Sequence, residues 1–219
     1  DNVAVGRSAL SALTQGTNNI AFGTTSADAV TTGYNNIAIG INAYGAAQAG
    51  NNNVAIGNTA LGGCLVTGST NVAISVNAMD ALTSGYNNIG IGQHALGTSK
   101  TGCYNIALGF TALGVGVVTG THNIAMGAQA MCALTSGSQN IAIGQFAGDA
   151  LLSTGCNVAL GYLALSGATT AANSIAIGNQ ALNGVTTGND NIALGTTSMN
   201  ALTSGACNIA IGQDALGAA

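Results

Sequence analysis

The chain has 219 residues, of which 47% are hydrophobic and only 4% charged, for a net charge of -4. Arg7 and Lys100 are its only cations, Glu, Pro and Trp are absent, and 34 residues are Gly. Disorder is excluded by the apolar content, nucleic-acid binding by the lack of cations, and membrane insertion by Asn, Gly or Thr interrupting every apolar run before about 18 residues.

The first element is Val3-Ala4-Val5, preceded by Asn2 and closed by Gly6. The same unit returns at Asn19–Gly23, Asn36–Gly40 and Asn53–Gly57, and then at Asn71–Ser75, where Ser replaces the closing Gly. It continues through Gly92, Gly109, Gly127, Gly144, Gly161, Gly178, Gly195 and Gly212. The closing residues are 17 apart, except for steps of 18 before Ser75 and before Gly127. This gives about thirteen copies of N-N-I-A-I-G-x-x-A-L-x-x-x-T-T-G-x over 1–219, with no visible linker. The whole chain reads as one repeat domain. It begins on Asp1 and is expected to be a segment of a longer fibre protein.

Within each copy, I-A-I alternates with period two, the signature of a short strand. A Gly turn follows. An apolar pair comes three and four residues after that Gly, as in Ala60-Leu61 and Ala95-Leu96. A further apolar position, seven after it, holds Leu13, Val30, Leu82, Leu134, Leu151 and Leu202. A Thr/Ser pair and a second Gly complete the copy. A unit this short cannot bury its own apolar face, whereas stacked copies can. Helix pairs do not fit, because 17 residues are too few and Gly recurs too often. The expected fold is therefore all-β: a parallel β-solenoid, or β-roll, with one coil per repeat.

Stacking turns each repeat position into a column. Asn19, Asn36, Asn53, Asn71, Asn88, Asn105, Asn123, Asn140 and Asn157 form one column, expected to be an internal amide ladder. By size, the Ile/Val positions of the strand are assigned to the dry interior. The Ala between them (Ala4, Ala21, Ala38, Ala55, Ala73, Ala107, Ala125, Ala142) is then expected to face outward. Outward positions ordinarily drift, and this one does not. Its uniform smallness points to close approach by the same column of neighbouring chains around a symmetry axis. The aromatic residues Tyr34, Tyr86, Tyr104, Phe110, Phe146 and Tyr162 occupy variable positions on either side of the motif, where recognition of a receptor or glycan would be sought.

The N-x-[IV]-A-[IV]-G unit followed by x-x-A resembles the head repeats of trimeric autotransporter adhesins of the YadA type, and related repeats in tail-fibre proteins of bacteriophages and large viruses. The resemblance covers the whole chain and implies a left-handed parallel β-roll, a homotrimer, and an extracellular place on a virion fibre or cell surface. Adhesin-head coils run nearer fourteen residues, and the extra residues here lie around the T-T-G segment.

Groups for chemistry are sparse. Cys156 and Cys207 share a column three coils apart, too far for a disulfide. Cys64, Cys103 and Cys132 lie in other columns. His94 and His122 share no coil, and Asp28, Asp80 and Asp149 share a column but not adjacent coils. No metal, cofactor or enzymatic activity is expected. Gly114-Val115-Gly116 opens like a dinucleotide loop, but Thr119 stands where a third Gly is needed. The leading expectation is a non-enzymatic structural or adhesive fibre segment. One alternative is a filament subunit adding end to end through open sheet edges. Another is an ice-binding solenoid presenting Thr31-Thr32, Thr135-Ser136, Thr169-Thr170, Thr186-Thr187 and Thr203-Ser204, a face interrupted at Gln48-Ala49, Leu65-Val66, Lys100 and Val117-Val118.

Overall fold

A computed structural model describes residues 1–184 and 187–217. The fold is an all-β parallel solenoid. Its strands are β1 (Val3–Val5), β2 (Ile20–Phe22), β3 (Ile37–Ile39), β4 (Val54–Ile56), β5 (Val72–Ile74), β6 (Ile89–Ile91), β7 (Ile106–Leu108), β8 (Ile124–Met126), β9 (Ile141–Ile143), β10 (Val158–Leu160), β11 (Ile175–Ile177), β12 (Ile192–Leu194) and β13 (Ile209–Ile211). All are three residues long, and each falls on one copy of the motif. The chain divides into two compact units, 1–107 and 108–219.

In the first unit, β1 to β6 pair in chain order, parallel and in identical register. Ile37 faces Val54, Ala38 faces Ala55 and Ile39 faces Ile56 across β3 and β4. In the second unit, β8 to β13 repeat the arrangement, with Ala142 beside Ala159 and Ala176. Register cannot slip by one residue without reversing every side chain, and the shared 17-residue period enforces it.

The Gly that closes each strand has a structural reason. Gly40 has φ of 134°, and a Cβ there would sit 2.5 Å from the carbonyl oxygen of Gly57 in the next coil. Ser75 alone carries a side chain at this corner, at φ 115°.

The interior reverses the expectation from residue size. The strand alanines from Ala21 to Ala193 are completely buried, and the flanking Ile and Val are half-buried or exposed. Only Ala4, in the first strand, is exposed. The opposite wall explains why. Leu61, Met79, Leu96, Leu113, Met131, Leu165 and Leu182, four residues after the Gly corner, are fully buried, as are Val30, Leu82 and Leu134, seven after it. These large side chains fill the roll and leave room for a methyl group on the facing strand. At Gly90, the one strand centre without a Cβ, an added Cβ would lie 2.9 Å from Met79 Cε. The hydroxyl of Ser26 donates to the Ala38 carbonyl at 2.8 Å, so the two walls are within hydrogen-bonding reach. Alternation correctly separated Ala from Ile. The volume supplied by the far wall decides which of them faces in.

The core adjusts locally to keep its volume. Where Ala47 replaces the larger residue seven after the corner, Tyr44 replaces Leu four after it, fully buried. In the two 18-residue coils the added residue shifts the third apolar column by two places. Val66 and Val118 are buried there, while Leu65, Val115 and Val117 are exposed.

Candidate functional site

The Asn column is an internal ladder, as its constancy suggests. The backbone N–H and the Nδ2 of Asn36 both donate to Asn19 Oδ1 at 3.0 Å, and Nδ2 also donates to the Gly50 carbonyl at 2.8 Å. One amide thus ties its own coil to the coil before and the coil after. Asn88 repeats the pattern on Asn71 and on the Gly102 carbonyl, with distances of 3.0, 3.1 and 2.8 Å. In the second unit, Asn140 bonds Asn123 and the Thr154 carbonyl, and Asn157 bonds Asn140 and the Ala171 carbonyl. Asn19, Asn53, Asn71, Asn105 and Asn123 are likewise buried. A buried amide with its donors and acceptor satisfied adds stability and fixes register. The ladder is interrupted at Ser174. Its Oγ accepts the Asn191 N–H at 3.3 Å and donates to the Ala172 carbonyl at 3.2 Å, so it sends no side-chain donor back to Asn157.

Two features of the interior escape sequence reasoning. The Tyr44 hydroxyl oxygen accepts from Asn53 Nδ2 at 2.8 Å, joining the apolar core to the ladder, and burial holds its phenol well above the usual range. The sequence signal was its pairing with the small Ala47. Secondly, every coil places residues in the left-handed region two and four after the Gly corner and again just before the ladder Asn. Asn18, Asn35, Asn52, Asn87 and Asn173 suit that last position. Tyr104, His122, Cys156 and Cys207 occupy it at a steric disadvantage.

The alanines assigned to an interface between chains cannot serve there. Ala21, Ala38, Ala55, Ala73, Ala107, Ala125 and Ala142 are sealed inside their own chain. What each strand presents outward is the Ile/Val pair. In the first unit it includes Ile20, Phe22, Ile39 and Ile91, and in the second Met126, Ile143, Ile177 and Ile211, all exposed.

The aromatic candidates lie on the surface. Tyr34, Tyr86, Tyr104, Phe110 and Tyr162 are exposed, and Phe146 is half-buried. They gather in part. Tyr86 and Tyr104 meet edge to face with centroids 5.3 Å apart, and Phe146 and Tyr162 do so at 6.3 Å. Negative charge on the neighbouring Cys103 and Tyr104 raises the Tyr86 phenol above its ordinary value.

The Thr positions form a third column. The hydroxyls of Thr14, Thr31, Thr83 and Thr135 donate to carbonyls of the next coil at 3.1, 3.2, 2.9 and 2.8 Å. They act as exposed stitches between coils. Thr186 lies outside the described residues.

All five cysteines are free thiols, Cys156 and Cys207 on the surface. Cys132 and Asp149 are neighbours across one coil step. Burial pushes the Cys132 thiol up, and the Asp149 charge adds to this. Asp149 is itself raised by burial, and its Oδ1 is buried without a hydrogen-bond partner. Among the described residues, no group of three His, Cys, Asp or Glu is placed to hold a metal ion, and no helix is long and apolar enough to cross a membrane. No family model, curated protein or solved structure matches the chain.

Proposed function

We propose that the chain is a structural or adhesive fibre segment, the shaft or head of a virion tail fibre or of a cell-surface adhesin, acting without catalysis. The carrying observation is how its polar interior is used. In coil after coil the buried amide bonds to the coils before and after it, as Asn36 does to Asn19 and Gly50. Such a molecule uses its buried hydrogen-bonding groups to hold coil to coil. The motif's resemblance to adhesin heads supports a left-handed roll and a homotrimer on an extracellular surface. Receptor or glycan contact belongs to the variable surface columns, with Tyr34, Tyr86, Tyr104, Phe110, Phe146 and Tyr162 as candidates. Near absence of Lys and Arg leaves trypsin two cleavage positions, Arg7 and Lys100, which suits a surface-exposed fibre segment.

Electron microscopy of the purified chain, together with a cell- or particle-attachment assay, tests this reading. Rods of fixed length that bind a host surface support it. Rounded particles, or rods without any surface attachment, count against it.

A further inference from the structure

We infer that the outward Ile/Val face of the strand column is a docking surface for a second copy of this chain. The inference deepens the fibre reading, from which it takes only the expectation of an oligomer, by naming the surface that joins the copies.

The face is uniform. In the first unit, each of the six strands β1 to β6 contributes two outward apolar side chains and no polar one. Strands β8 to β13 do the same in the second unit. Ile39 and Ile91 remain 38% and 40% accessible, and Ile143 and Ile177 remain 42% and 40%. Twelve such side chains leave roughly 700 Å² of apolar surface per unit, close to the ~800 Å² that each partner buries in a standard interface. Soluble monomers rarely expose apolar patches of more than a few hundred Å².

Periodicity selects the occupant. The side chains stand in rows spaced by the ~4.8 Å strand separation. A surface that interlocks with all rows must carry apolar groups at the same pitch over the same number of rows. Another copy of this parallel stack meets that requirement, row against row. A lipid surface is a poor match. Interfacial anchors are Trp, Tyr and cationic residues; this chain has no Trp and only Arg7 and Lys100 as cations, and none of its Tyr residues lies on a strand of this face. The Ala column cannot substitute, being sealed within each roll.

The test is sedimentation velocity of the full chain across a concentration series, for wild type and for Ile56→Asn/Ile74→Asn/Ile91→Asn, with Thr32→Asn as a surface control. Wild type and the control are expected to sediment as a multiple of 21.0 kDa, and the triple variant at 21.0 kDa with an unchanged β circular-dichroism spectrum. A wild type that stays at 21.0 kDa at every concentration overturns the inference, as does a folded triple variant that keeps the wild-type mass. So does wild-type monomer that floats with phosphatidylcholine vesicles. Should the triple variant not fold, hydroxyl-radical footprinting of wild type decides: Ile56, Ile74 and Ile91 protected supports the docking face, and modified as readily as Leu65 refutes it. An oligomer that depends on this face but attaches to no surface would remove the fibre reading and leave this inference standing.

Discussion

Replacing Ser174 by Asn should repair the amide ladder and stabilise the second unit. At present Asn157 Oδ1 accepts only the Ser174 N–H, at 3.0 Å, whereas Asn140 Oδ1 accepts both the N–H and the Nδ2 of the next Asn, each at 3.1 Å. Asn191 Nδ2 donates to the Gly205 carbonyl at 2.8 Å and lacks the ladder bond that Asn208 Nδ2 makes to Asn191 at 3.0 Å. A Ser174→Asn amide in the common geometry would donate to Asn157 and to the carbonyl of Gly188, and would accept from Asn191. Three new bonds, set against the lost bond from Ser174 Oγ to the Ala172 carbonyl, are a net gain of two at about 1 kcal/mol each; less about 1 kcal/mol for ordering the side chain, this leaves a gain of about 1 kcal/mol. For a cooperative unit of roughly this size that corresponds to a rise of several degrees in Tm. Differential scanning calorimetry measures it, and amide hydrogen exchange locates it at residues 157, 174 and 191. A variant no more stable than wild type, or one stabilised elsewhere, would refute the ladder as the source of coil-to-coil cohesion.

Other outcomes follow from the same geometry. Removing a rung should be costly: Asn88→Ala leaves the Gly102 carbonyl and Asn71 Oδ1 short of donors and is expected to lower stability by about 3 kcal/mol or more in urea denaturation. Ala142→Leu overfills the roll and should cost at least about 3 kcal/mol or abolish folding, while Ile143→Thr should keep the circular-dichroism spectrum; equal tolerance at both sites would reverse the inside and outside of the strand. Cys207→Asn relieves a left-handed residue (φ 61°) and should raise stability by about 0.5–1 kcal/mol. Burial raises the folded-state pKa of Asp80 and Asp149 above the unfolded value, so their stabilising effect is complete below the unfolded pKa, near 4, and is lost as pH rises through the folded value. Wild type should therefore gain stability on mild acidification, and Asp149→Asn should be more stable than wild type at pH 7 but not at pH 3; a denaturation series across that range checks the sign.

Much of this architecture was legible in the residues. The 17-residue period, the placement of strands on I-A-I and the internal role of Asn36 and its equivalents all follow from repetition and alternation. Which face of the strand turns inward does not. Alternation is symmetric between Ala38 and Ile39, and residue size alone favoured the wrong one. The answer depends on how much of the roll Leu61, Met79 and Leu82 fill from the other wall, and that is a property of the closed coil. The same limit hid Tyr44, whose burial depends on the space left by Ala47. The left-handed columns left a partial trace in the recurring Asn before the ladder. Tyr104, His122 and Cys207 obscured it, because neighbouring coils impose that conformation on residues that would not choose it. Of the aromatic candidates, Tyr34, Tyr86, Tyr104, Phe110 and Tyr162 are exposed and Phe146 is half-buried, while the pairing of Tyr86 with Tyr104 and of Phe146 with Tyr162 depended on coil spacing.

The most direct test of the account is an experimental density map of the assembled chain, by cryo-electron microscopy or crystallography, resolving side chains on β9. The account predicts Ala142 inside the roll against the far wall, with Ile141 and Ile143 packed on another copy of the chain. Ile141 and Ile143 inside the roll, or open to water on a solitary chain, would contradict it.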